Sequence, residues 1–485
     1  MSWVHDLAVA LAAITLAYFA LLNLVYLAFT VIAWRSLMQH LRARGHAPDD
    51  EVFASPVTPP VSVLVPAYDE EPTIVESVRS LLSLRYPEHE VIVVNDGSQD
   101  DTLERLQRAF ELVPVRKALR TLLPTAPIRA VYVSRRHRNL WVVDKENGGK
   151  ADALNAAVNA SRYPYVCAID ADAILEEDAL LRVARPVIEE PDVVVATGGI
   201  VRIANGCHID GGRVLDVRLP QSRLATLQVL EYFRAFLIGR VGWSRLNALL
   251  IISGAFGLFR RSLVETVGGY ARETVGEDIE LVVRLHRHLR ERDERYRIEF
   301  VPDPVCWTEA PETMRQLSRQ RRRWHRGLGE TLWRHRGVAG NGRYGALGTA
   351  AVPYFLVFEF LGPLIEVVGV PIILVWWIFG QLSTVFLLGF FVVAVLLGIL
   401  LSLAALVLEE HSFRRHRDGR EVARLIGFSV VENIGYRQLI AFWRFLAFFD
   451  LARGRDDWGD MRRRGFGTVP EAPLPQELTS SGHAG

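Results

Sequence analysis

Two acidic motifs and one cationic-aromatic run are where this 485-residue chain could do chemistry. Asp170-Ala-Asp172 closes a short apolar stretch, Glu277-Asp278 follows a glycine, and Gln320-Arg-Arg-Arg-Trp324 precedes a long apolar region. Two carboxylates two residues apart at a strand end suit one hard divalent cation, because Mg²⁺ and Mn²⁺ prefer oxygen ligands and commonly bridge to phosphates. Asp170 and Asp172 are therefore the candidate metal ligands, with Asp170 also at the donor. Asp278, with Glu277 beside it, is the candidate catalytic base: inverting glycosyl transfer needs one group to take the acceptor hydroxyl's proton. At a helix start the same carboxylate also serves as a cap. Trp324 offers a flat face to a sugar ring, while Gln320 and Arg323 can contact an acceptor or a diphosphate.

The remaining candidates lie in turns. Val63–Glu70 and Val93–Ser98 each read as a strand running into an acidic loop. Asp96 can accept a hydrogen bond from a uracil N–H, with Tyr68 against the base and Glu70 nearby. Asn147-Gly-Gly-Lys150 precedes a helix, and backbone amides plus a lysine there favour an anion. Ser253-Gly254-Ala-Phe-Gly257 is a small-residue turn that lets an acceptor approach the backbone closely.

These residues need a scaffold. Val61–Val65, Val91–Val94, Val131–Val133, Tyr165–Ile169 and Val193–Ala196 read as strands, alternating with helices over 74–84, 102–112, 150–160 and 177–187. Such alternation predicts a parallel sheet with crossover helices, whose ligands sit beyond the carboxyl ends of the strands. Residues 113–141, rich in proline and arginine, read as a surface insertion. Leu224–Ile238 reads as an amphipathic helix.

The net charge of +1 gives no reason to expect nucleic acid, and Cys167, Cys207 and Cys306 have neither metal nor disulfide spacing. Leu7–Trp34 runs 28 residues without charge or proline, more than the roughly 20 a spanning helix needs. Arg35, Arg42 and Arg44 follow, which predicts a cytoplasmic domain after it. The expected organisation is a transmembrane helix over 1–34, a linker over 35–60, a catalytic domain over 61–310, interfacial helices over 311–345, transmembrane or interfacial helices over 346–450, and a tail over 451–485. Within 346–450, Leu425–Phe449 carries Glu432, Arg437 and Arg444 and is a doubtful span, and Val352–Phe379 is interrupted by prolines.

Taken together, Val-Pro-Ala-Tyr-Asp-Glu (65–70), Asn-Asp-Gly-Ser (95–98), Gly-Gly-Lys (148–150), Asp-Ala-Asp (170–172), Glu-Asp (277–278) and Gln-Arg-Arg-Arg-Trp (320–324) resemble the processive family 2 glycosyltransferases. These include cellulose, chitin, hyaluronan and poly-N-acetylglucosamine synthases. The resemblance implies an α/β GT-A-type (Rossmann-like) nucleotide-sugar domain inserted between transmembrane α-helices of a multi-pass inner-membrane protein. It implies a UDP-sugar donor (UDP-N-acetylglucosamine or UDP-glucose), a polysaccharide acceptor, Mg²⁺ or Mn²⁺, contact with the lipid bilayer, and room for accessory export or regulatory subunits. The expected activity is inverting and processive; the alternative is a non-processive transferase acting on a lipid acceptor. One departure stands out: Gly276 occupies the position of the usual threonine before Glu-Asp.

Overall fold

The computed structural model describes residues 2–44, 58–413 and 419–453. Half of the expected linker (45–57) and nearly all of the tail lie outside the described residues. The catalytic half is built on a ten-stranded sheet in the order β3 (Leu112–Pro114), β4 (Ile128–Ser134), β5 (Leu140–Lys145), β2 (His89–Asn95), β1 (Val61–Ala67), β6 (Tyr165–Ile169), β11 (Phe256–Arg260), β8 (Val194–Ile203), β12 (Arg297–Thr308) and β7 (Ala173–Leu175), while β9 (His208–Asp210) and β10 (Arg213–Asp216) pair separately. Its centre is β1 (Val61–Ala67), β2 (His89–Asn95), β5 (Leu140–Lys145) and β6 (Tyr165–Ile169). Every residue of β1 is buried, as befits a strand covered on both faces. β1 runs parallel to β2 and β6, and β2 parallel to β5.

The sheet is mixed rather than parallel. β11 (Phe256–Arg260) runs antiparallel to β6 and to β8 (Val194–Ile203). β8 in turn pairs in parallel with β12 (Arg297–Thr308), and β12 pairs antiparallel with β7 (Ala173–Leu175). The stretch 113–141 is corrected in part. β3 (Leu112–Pro114) and β4 (Ile128–Ser134) form an antiparallel edge that joins β5, leaving 115–127 as the connecting segment. Pro114 ends the short edge strand, where a missing N–H costs no central ladder bond.

The helix Lys150–Ala160 has the predicted bounds. Leu224–Ile238 does not form the expected amphipathic helix. Leu224–Leu230 is buried on every side, and a π-helical turn, Phe233–Arg240, continues it.

The N-terminal helix runs from Ser2 to Arg44. Its apolar part, together with Thr384–Phe413, gives two helices long and apolar enough to cross a membrane; a pair bent by 45°, Leu347–Phe360 and Gly362–Ile378, makes a third if counted as one span. The block 425–449 is not one continuous helix. It breaks at Ile434 and Gly435, the latter at φ 115°, and its charges are matched: Glu432 lies 2.8 Å from Arg234 and Arg444 lies 2.9 Å from Glu359.

Candidate active site

A cavity of about 730 Å³ opens between the carboxyl edge of the sheet and the helix Met314–Arg334. Its walls include Lys150, Asp170, Asp172, Ser253, Gly254, Glu277, Asp278, Gln320, Arg323 and Trp324. Ten of the thirteen candidate residues, from segments far apart in the chain, thus meet at one place.

Lys150, Asp170, Asp172, Glu277 and Asp278 come from a strand end or a helix start, Ser253 and Gly254 from the loop before β11, and Gln320, Arg323 and Trp324 from within the helix Met314–Arg334. β6 stops at Ile169, and a turn closed by the Ala173 amide on the Asp170 carbonyl (3.1 Å) carries Asp170 and Asp172 to the cavity wall. Asp172 is 2% exposed.

The helix Glu277–Glu291 begins at Gly276, with Glu277, Asp278 and Glu280 in its first turn, where the helix dipole favours negative charge. The Ile279 amide donates to Asp278 Oδ1 at 2.8 Å. Burial, and then the neighbouring Glu277, push the Asp278 carboxyl up to about 6, against the opposing pull of Lys150 and that amide. This is the range in which a carboxylate works as a base near neutral pH.

Lys150 ties the two acidic groups together. Its Nζ lies 2.7 Å from Asp170 Oδ1 and 3.1 Å from Glu277 Oε1, and donates to the Gly254 carbonyl at 3.2 Å. Burial alone would lower its pKa, but Asp170 and Glu277 more than offset this, so the ammonium is held charged. A Cβ at Gly254 would stand 3.0 Å from Asp278 Oδ2, tighter than ordinary contact, so a side chain there would press on the candidate base.

Trp324 lies on the cavity wall, 44% exposed, with the Arg321 guanidinium 4.4 Å from its ring centre. Arg321 is itself buried and donates to Glu231 Oε1 at 2.7 Å. Glu231 also accepts from the Tyr436 hydroxyl at 2.9 Å, and it lines a second cavity of about 190 Å³ among the apolar helices.

Tyr68, Glu70 and Asp96 do not line the main cavity. Asp96 is 2% exposed and forms a close ion pair with Lys145. It also accepts the amides of Gly148 (3.1 Å) and Gly149 (2.8 Å). The anion expected at the start of the helix Lys150–Ala160 is therefore the protein's own Asp96. Burial raises its pKa, while Lys145 and the two amides act the other way. Glu70 accepts from Thr73 Oγ1 at 2.9 Å, and Tyr68 is 44% exposed beyond β1.

Lys145 escaped the sequence reading. It is fully buried between Asp96 and Asp152, 2.7 Å from the latter. Its signal is a charged residue closing an apolar strand just before Asn147-Gly-Gly. Glu231 and Glu330 carry no comparable signal.

Among the described residues no group of three or more His, Cys, Asp or Glu side chains gathers as a metal cluster. The pair Asp170 and Asp172 nevertheless supplies hard carboxylate oxygens to one wall of the cavity, which fits a divalent cation that takes its other ligands from a diphosphate and water.

Residues 59–327 match the model of the family described as "Glycosyltransferase like family 2". A poly-beta-1,6-N-acetyl-D-glucosamine synthase of Staphylococcus epidermidis is 31% identical over 277 residues, 56% of this chain and 56% of that one. The synthase of the same name from Staphylococcus aureus (strain COL) is 31% identical over 320 residues, 65% of this chain and 64% of that one. The match thus spans less than two thirds of either relative. Among solved structures, the mannosyltransferase PcManGT from Pyrobaculum calidifontis, in complex with GDP-Man and Mn²⁺, aligns with a TM-score of 0.48 at 18% identity, over 90% of this chain and 100% of that one. With a large mixed sheet of GT-A type and a family match over more than half its length, the chain belongs to the family 2 glycosyltransferases.

Proposed function

We propose that this protein is a membrane-embedded, inverting, processive β-glycosyltransferase that extends a polysaccharide from a UDP-sugar. The names of the two staphylococcal relatives favour UDP-N-acetylglucosamine as donor over UDP-glucose. The observation that carries the reading is the meeting of Lys150, Asp170, Asp172, Asp278, Gln320, Arg323 and Trp324 in one cavity beside the apolar helices.

In this reading the acceptor's terminal sugar lies on Trp324, with Gln320, Ser253 and Gly254 around it. Asp278 takes the proton of the attacking hydroxyl as its oxygen bonds to the anomeric carbon from the face opposite the nucleotide. The bond from that carbon to the diphosphate oxygen breaks, and UDP departs with the electron pair. Lys150 and Arg323 stabilise the charge developing on the leaving group; such fixed charges usually supply a large catalytic contribution. Asp170 and Asp172 would hold Mg²⁺ or Mn²⁺, which adds further neutralisation of the diphosphate. Tyr68 and the loop after β2 would receive the base, with Asp96 shaping the Gly148-Gly149 turn and Glu70 bracing the loop after β1.

The second cavity, which shares Glu231, Ala235, Glu359, Ile440 and Arg444 with the first, supports an exit for the product through the helices. The arginines after the first span support a cytoplasmic setting for the catalytic half. A screen of UDP-sugars with the purified protein, scored by released UDP and by digestion of any polymer, tests the reading. Release from no donor would refute it, and products of single-sugar length would refute processivity.

A further inference from the structure

The loop that carries the candidate base is fastened to the helix that carries Gln320, Arg323 and Trp324. A methyl on Gly276 would lie 3.0 Å from Gly327 Cα and from Ile279 Cγ2; a methyl on Gly327 would lie 2.9 Å from Gly276 Cα and N. The two backbones touch, so neither position has room for a side chain. A threonine at 276 does not fit this packing.

The hydroxyl missing at 276 is supplied two residues earlier. Thr274 Oγ1 accepts from the Gly276 amide at 3.1 Å and donates to Glu330 Oε2 at 2.8 Å. The Val275 amide donates to the same Glu330 oxygen at 3.1 Å, and Arg326 Nε donates to the other at 2.6 Å. Gln320, Arg323, Gly327 and Glu330 follow one another at intervals of three, four and three residues, which is a single face of a helix. That face carries the proposed acceptor-binding residues Gln320 and Arg323 at one end and meets the loop 274–276 at the other.

We propose that Glu330, with the glycine pair Gly276 and Gly327, is a positioning device that fixes Asp278 relative to the acceptor-binding residues. The proposal rests on the transferase reading above. Glu330 does not line the cavity, so it acts through the loop rather than on the substrate. Its effect falls on turnover, because a base displaced by about 1 Å can cost on the order of 100-fold in rate while leaving donor binding intact.

The test compares Glu330→Ala, Glu330→Gln and Gly327→Ala in the full-length protein. Sugar transfer gives kcat and the donor KM, and calorimetry with UDP reports whether the nucleotide site is intact. Glu330→Ala and Gly327→Ala are expected to lower kcat by about 10- to 100-fold, with donor KM and UDP affinity within about twofold. Glu330→Gln, whose amide oxygen still accepts from Val275 and Thr274, is expected to recover most of that loss. Full kcat in Gly327→Ala or Glu330→Ala overturns the proposal. So does loss of UDP binding, or equal damage in Glu330→Gln and Glu330→Ala, since either marks a purely structural role. A parent protein that transfers no sugar refutes the transferase reading, and the proposal with it; an active parent with undamaged variants refutes only the proposal.

Discussion

The Lys150 ammonium stands 2.7 Å from Asp170 Oδ1, on the carboxylate assigned to a metal ion. Lysine and cation compete for that oxygen. Removing the lysine charge should therefore tighten metal binding when no nucleotide is present. A unit charge about 4 Å away is worth about 1 kcal/mol in a water-like medium, or roughly fivefold in affinity. Calorimetric titration of Lys150→Met with Mn²⁺ should show that gain, together with a loss of sugar transfer. Weaker Mn²⁺ binding would place the cation elsewhere.

The pH profile should report Asp278. A base acts only when ionised, and the carboxyl titrates near 6 rather than in the ordinary aspartate range. Turnover should be level above that pH and fall about tenfold per unit below it. Donor-saturated initial rates between pH 4.5 and 8.5 would show the bend. A profile flat down to pH 4.5 would take Asp278 out of the role.

Lys145 should matter to stability first. It is fully buried between Asp96 and Asp152, and Asp152 is fully buried as well. Replacing it with methionine leaves two carboxylates without their shared cation. Breaking a buried pair in this way costs about 3–5 kcal/mol. Thermal unfolding in detergent should drop clearly, and UDP binding should weaken because Asp96, which anchors the Gly148-Gly149 turn, loses the cation that fixes it. An unchanged melting temperature would mean that the charge contributes little.

Trp324 should separate acceptor from donor. Its ring is 44% exposed and lies on the cavity wall with Arg321 behind it. Trp324→Ala should raise the KM for an acceptor oligosaccharide by about tenfold, in line with about 1.5 kcal/mol for a stacked ring, and leave the UDP-sugar KM alone. Equal effects on both would assign the indole to the donor.

Much of this site was legible in the residues themselves. Asp170, Asp172, Lys150, Asp278, Gln320, Arg323 and Trp324 stand out by type and spacing, and all of them line one cavity. Asp96 was harder. Its loop marks a sheet edge, but nothing local in sequence reveals that Lys145, 49 residues on, occupies its carboxylate. Val131–Val133, within β4, was legible as a strand, but β3 and the antiparallel pairing of this edge were hidden for a related reason. Prolines and arginines there resemble a loop, while the pairing that makes them strands is with residues further along the chain. The long first helix was plain from its uncharged run. The charges within 425–449 marked that block as a doubtful span, but not that it breaks at Ile434 and Gly435 or that Glu432 and Arg444 find partners on other helices.

The most direct measurement incubates the purified protein and its Asp278→Asn variant with UDP-N-acetylglucosamine and Mg²⁺, scoring released UDP, polymer and UDP affinity together. The account predicts UDP release with matching polymer from the parent, neither from the variant, and equal UDP binding by both. Polymer made by Asp278→Asn at the parental rate would contradict it.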